Sequence, residues 1–132
     1  MNDLIEVKFV SSKKGRGVIA KRNIPRNTLV DIAHIILVPN KDFDLISETI
    51  LYDYTFTWED PADNGEFMCA IPLSVCQFIN HSYKPNIEYF YDYENKTIEF
   101  YTIKRILKGE ELTVNYNGVP KDKSPLWFEV ED

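Results

Sequence analysis

A mainly β fold with two short helices is what this sequence predicts, on three observations. Its β-branched and aromatic residues fall in short runs separated by turn formers. One pair of such runs flanks Glu94-Asn95-Lys96 like the arms of a hairpin. Alternating strand–helix–strand units are missing, so a dinucleotide site of the doubly wound type is not supported. The 132 residues make one domain, residues 1–132. A chain of that length can bury roughly two-thirds of its unfolded surface.

Taken in order, "LIEVKFV" alternates over Leu4–Val10 and predicts a first strand. Val18–Ala20 and Leu29–Val38 are β-branched runs that predict two more, divided by a Pro25-Arg26-Asn27 turn. Between Asp44 and Tyr52, the residues Leu45, Ile46, Thr49 and Ile50 would line one side of a helix. A second helix is expected to begin at Pro72, a favoured first helical position, with Leu73, Cys76 and Ile79 on one face. It would run straight into Asn80-His81-Ser82. The hairpin pairs Glu88–Tyr93 with Thr97–Lys104, and "ELTVNY" after the Lys108-Gly109 turn predicts a last short strand.

A formal net charge of −6 argues against direct nucleic-acid binding, which needs a Lys/Arg surplus on one face. It is compatible with a basic partner. Cys69, Cys76 and two histidines are too few and too scattered for a zinc site of about four N/S ligands, so no metal is expected. Thiols of this kind suit a reducing compartment. No apolar run approaches the ~20 residues of a membrane span. The start "MNDLIEVKFV" lacks the pattern of a signal peptide. The expectation is an intracellular protein, cytoplasmic (nuclear in a eukaryote), without membrane contact.

Three patches carry chemistry. "KKGRGV" places glycines at 15 and 17, where the backbone can approach a ligand closely. "NHSYKPN", Asn80–Asn86, interrupts an apolar stretch with turn formers. "GEELTVNY" delivers a tyrosine at the end of a short strand. Together and in this order, G-x-G, N-H-S-x-x-P-N and E-E-L-T-V-x-Y resemble the SET-domain protein lysine methyltransferases. The resemblance covers essentially the whole chain and suits a small free-standing SET protein.

The resemblance implies several small curled sheets of the β-clip type with short helices. It also implies a knot-like threading that brings the second and third motifs together. It implies S-adenosyl-L-methionine as methyl donor and a lysine-bearing protein, such as a histone or ribosomal protein, as substrate. Carried over residue by residue, Lys14, Arg16 and Gly17 would line the donor, and Asn80 and His81 would hold its amino-acid and adenosine parts. Tyr116 would be the catalytic residue, its hydroxyl beside the transferring methyl. Tyr89 and Tyr54 would line the lysine channel. The tail "SPLWFEV" resembles members whose C-terminal aromatic covers the adenine, which makes Trp127, with Phe128 beside it, the candidate for that role. A short aromatic lid over about 117–132 follows, built by packing alone, because no cysteine cluster follows the domain. Asn115 departs from the Asp that many relatives carry before the tyrosine. That departure motivates an alternative, a non-catalytic SET-like interaction module. An exposed strand or the aromatic tail is compatible with a homodimer.

Overall fold

The computed structural model describes residues 2–130. In chain order the strands are β1 (Ile5–Ser11), β2 (Gly15–Ala20), β3 (Leu29–Pro39), β4 (Phe56–Thr57) and β5 (Phe67–Leu73). They continue with β6 (Asn80–His81), β7 (Ile87–Asp92), β8 (Thr97–Thr102) and β9 (Glu111–Val114). One sheet has the order β1-β2-β9-β6, the other β4-β5-β3-β8-β7. Every named pairing is antiparallel except β6 with β9, which run parallel.

The five-stranded sheet is strongly curled. Flat, its outer strands β4 and β7 would lie roughly 19 Å apart. Instead the rings of Phe56 on β4 and Tyr89 on β7 meet at 5.1 Å, and both also contact Phe100 on β8. The concave face is therefore an aromatic trough. Between the sheets sits an apolar core in which Val18, Ala33, Ile98, Phe100 and Leu112 are fully buried. Turn chemistry fixes the hairpin register. Lys96 takes the left-handed conformation (φ 54°) and the Asp92 carboxylate accepts the Asn95 amide at 3.0 Å.

Both helix predictions need correction. Between Asp44 and Tyr52 the chain is broken into an α-helix, α1 (Asn40–Ile46), and a 3-10 helix over Ile50–Tyr54. The Ser47 and Thr49 hydroxyls donate to the carbonyls of Asp44 and Ile46, both at 2.8 Å, which ends α1, and Thr49 then caps the 3-10 helix. Pro72 does not start a helix. It pairs with Ile35 inside β5, beyond the reach of β4, where a missing N–H costs no ladder bond. Helical structure starts after Ser74, whose hydroxyl accepts the Cys76 amide at 2.9 Å, and lasts only over Val75–Phe78. Ile79 and Asn80 must be extended to reach β9. No helix among the described residues is long and apolar enough to cross a membrane.

Candidate active site where two cavities meet

Strand β9 is gripped by the loop that follows the 3-10 helix. On one edge β9 pairs with β2; on the other, Asn80 and His81 pair with Thr113 and Val114. The Ser82 amide donates to the Val114 carbonyl at 2.9 Å. The Asn86 side chain then imitates a strand, donating to the Glu111 carbonyl at 2.9 Å and accepting the Thr113 amide at 2.8 Å. An amide is the side chain that can do both. This is the form taken by the expected threading, and it explains the asparagine at the end of the motif.

At the start of β9 the Glu111 carboxylate accepts from Lys14 Nζ at 3.0 Å and from Asn80 Nδ2 at 2.7 Å. Asn80 also donates to the Arg16 carbonyl at 3.1 Å. Gly17 lies directly behind this cluster. A Cβ there would stand 2.6 Å from Glu111 Oε2 and Val10 Cγ2 and 2.7 Å from Asn80 Nδ2, so any larger residue would have to push these side chains aside.

Two cavities flank this arrangement. The smaller, about 480 Å³, is lined by Lys14, Arg16, Phe78, Asn80, His81 and Phe128 among others. The Arg16 guanidinium lies over the Phe78 ring at 4.3 Å. The larger, about 1010 Å³, opens into the aromatic trough and is lined by Tyr89, Phe90 and Tyr91 with Glu59 and Glu88. Asp53, Tyr54, Gln77, Ile79, Tyr116 and Trp127 line both.

Tyr116 is held at this junction from two sides. Its amide donates to His81 Nδ1 at 2.9 Å, and its hydroxyl donates to the Ile79 carbonyl at 2.7 Å. The first bond defines His81 as the tautomer with Nδ1 free to accept. Trp127 stacks on the Tyr116 ring, 6.0 Å between centroids and 13° from parallel. Burial pushes the phenol up to about 12, with Glu111, Tyr54, Asp53 and Tyr89 acting in the same direction. Tyr116 is a neutral hydrogen-bonding group at physiological pH. Burial likewise raises Tyr89.

The tail that carries Trp127 is anchored by Asn115. This buried amide donates to the carbonyls of Pro120 (3.3 Å) and Asp122 (2.6 Å) and accepts the Asn117 amide at 3.0 Å. The Tyr83 hydroxyl and Asn117 Nδ2 both donate to the Ser124 carbonyl at 2.9 Å. A carboxylate at 115 has no N–H to offer those two carbonyls. Asn115→Asp is therefore expected to release the tail, costing on the order of 2–3 kcal/mol locally. Trypsin should then cut after the exposed Lys121 and Lys123 at least about tenfold faster. Unchanged cleavage would show that the amide does not hold the segment.

Of the residues singled out in the sequence, Lys14, Arg16, Asn80, His81, Tyr54, Tyr116 and Trp127 converge on the smaller cavity, and Tyr89 faces the larger. Gly17 faces neither and acts from behind, by leaving room for Glu111 and Asn80. Trp127 covers the Tyr116 ring and borders both cavities, at 68% exposure. In the expected lid, 131 and 132 lie outside the described residues. Sequence reasoning missed Glu111, which joins the first two motifs, and Asp53 and Gln77, which share the junction. A charged residue opening an otherwise buried strand was the signal for Glu111. Among the described residues no group of three or more His, Cys, Asp or Glu could hold a metal ion.

The SET domain family model matches residues 15–117. Two Schizosaccharomyces pombe proteins are similar over most of the chain. A histone-lysine N-methyltransferase described as H3 lysine-37 specific is 29% identical over 92% of this chain and 75% of its own length. One described as H3 lysine-36 specific is 29% identical over 83% of this chain but only 14% of its own length. Among solved structures, a Plasmodium falciparum protein provisionally described as a histone methyltransferase superposes with a TM-score of 0.63 at 24% identity. That match covers 88% of this chain and 95% of the other, and it bears on the fold.

Proposed function

The chain belongs to the SET-domain family, and from that premise we propose that it is a protein-lysine N-methyltransferase using S-adenosyl-L-methionine. The observation that carries this reading is the convergence of a polar cavity and an aromatic cavity on one neutral tyrosine hydroxyl. The smaller cavity fits the donor in chemistry. Lys14, Arg16 and Asn80 line it with polar and cationic groups suited to an amino-acid end, and Phe78 and Phe128 put aromatic rings on its wall for an adenine. When bound, the donor supplies a methyl group on a positively charged sulfur.

The protein's own residues would do the rest. A lysine at its reference pKa of about 10.4 is neutral roughly one time in a thousand near pH 7.4, a cost of about 4 kcal/mol. The trough of Tyr54, Phe56 and Tyr89 excludes water around the amine, which disfavours the ammonium. Tyr116 cannot serve as base with a phenol at about 12, so it acts by orienting the amine with its hydroxyl dipole. The Ile79 carbonyl and His81 hold that hydroxyl and its backbone in place. A lysine-bearing protein of basic character is the substrate we infer, given the net charge of −6. The Asn115 departure, explained by the tail it anchors, no longer favours an interaction module.

Tritiated donor incubated with histones, ribosomal proteins and basic peptides tests the reading. Label on lysine supports it; no transfer to any of them, with no donor binding by calorimetry, overturns it. The pH dependence has a definite sign. Because the substrate amine must lose its proton, kcat/KM should rise about tenfold per pH unit from pH 7 to 9. Tyr116 adds no second inflection there, since it stays protonated in that window. A bell with a descending limb below pH 9 would contradict this.

A further inference from the structure

The larger cavity extends well past Tyr116. Its wall is a row of tyrosines, Tyr89, Tyr91 and Tyr93, at alternate positions of β7 and the turn after it. Their ring centroids step by 5.9 and 5.7 Å, and Tyr91 and Tyr93 lie 10° from parallel. Trp58, 1% exposed, packs edge-on against Tyr91 at 5.8 Å and Tyr93 at 4.8 Å. Its indole N–H donates to Asp63 at 3.1 Å, so the two rings are braced by a fixed neighbour. The next residue, Glu59, is exposed and lines the same cavity.

One lysine side chain at Tyr116 does not need this second half of the trough. Parallel aromatic faces beside a carboxylate are what a guanidinium or ammonium group recognises, through the ring quadrupole and an ion pair. The local field agrees in sign. Burial is the main cause that pushes the Tyr91 phenol above the usual tyrosine range, and the Glu59 carboxylate, the charged group among its neighbours at neutral pH, acts in the same direction.

We propose that Tyr91, Tyr93 and Glu59 form a subsite for a second cationic side chain, an arginine, on the same polypeptide as the methylated lysine. The proposal rests on the lysine methyltransferase reading. An extended substrate advances about 3.3 Å per residue and presents alternate side chains to one face. The Tyr89-to-Tyr93 span, roughly 13 Å of strand, then corresponds to an arginine about two to four residues from the target lysine.

The test uses labelled peptides with one lysine in an alanine–glycine–serine background and a single arginine moved along both flanks. Affinity is read by fluorescence anisotropy, and methyl transfer is read in parallel, for the wild type, Glu59→Gln and Tyr93→Leu. One register of arginine should bind about tenfold tighter than the arginine-free peptide. Both substitutions should cut that gain to about twofold or less, and Glu59→Gln should leave the arginine-free peptide unaffected. In transfer, the advantage should appear in KM with kcat unchanged. Tyr93 packs on Trp58 and its replacement could unfold the region; Glu59, being exposed, keeps the test decisive. Absence of peptide binding, equal affinity in every register, or a preference that survives Glu59→Gln overturns the subsite. Register-dependent binding without transfer to any peptide sinks the methyltransferase reading and leaves the subsite standing; transfer without register dependence does the reverse.

Discussion

Tyr116→Phe is expected to lower kcat for methyl transfer by roughly 10²–10³-fold, the usual loss when a preorganised polar group is removed from a reacting centre. The fold should survive, because the ring keeps its stacking on Trp127 and only one hydrogen bond, to the Ile79 carbonyl, is lost. That loss is worth about 1 kcal/mol. Donor binding should change little, because the cations and amide that face the donor's amino-acid end come from Lys14, Arg16 and Asn80. Single-turnover rates and calorimetry with S-adenosylmethionine, run on the same preparation, separate the two. A variant that transfers methyl at the wild-type rate would mean that the hydroxyl has no part in the chemistry.

Asn86→Ala carries the largest expected loss of stability. Its amide satisfies one carbonyl and one N–H of β9, a strand whose Leu112 and Val114 are fully buried. Removing it orphans both groups, at a cost of about 2–5 kcal/mol. In a domain of this size that lowers Tm by about 10 °C or more. Asn86→Asp should be intermediate, since a carboxylate can still accept the Thr113 amide but cannot donate to Glu111. Differential scanning calorimetry of the two variants checks the order. Equal stability of the alanine variant and the wild type would show that the loop does not grip β9 through this side chain.

The strands were legible because their cause is local. β-branched and aromatic alternation marks β3, β7 and β8 within a residue or two, and turn formers mark the hairpin between the last two. The helices were not, because their limits are set by competition. At Pro72, a residue that suits a helix start also suits a strand position unpaired on one edge, and the pairing with Ile35 on the other decides. At Ser47 and Thr49, hydroxyls that a periodicity count treats as neutral end the helix by taking its carbonyls. The motifs pointed to the right loops, but not to what joins them. Glu111 meets Lys14 from 97 residues away and Asn80 from 31, and no local pattern announces such a partner. Gly17 was legible as a glycine required for close approach, though the group that approaches is Glu111 with Asn80.

The central claim is that donor and lysine enter from opposite cavities and meet at Tyr116. A crystal structure with S-adenosylhomocysteine and a lysine peptide tests it most directly. The sulfur is expected beside Asn80 and His81, and the lysine amine is expected to arrive through the Tyr54–Tyr89 side. The amine nitrogen should stand about 3–3.5 Å from where the methyl carbon would sit. Adenosine seated in the larger cavity, or an amine approaching anywhere other than the Tyr116 hydroxyl, would contradict it.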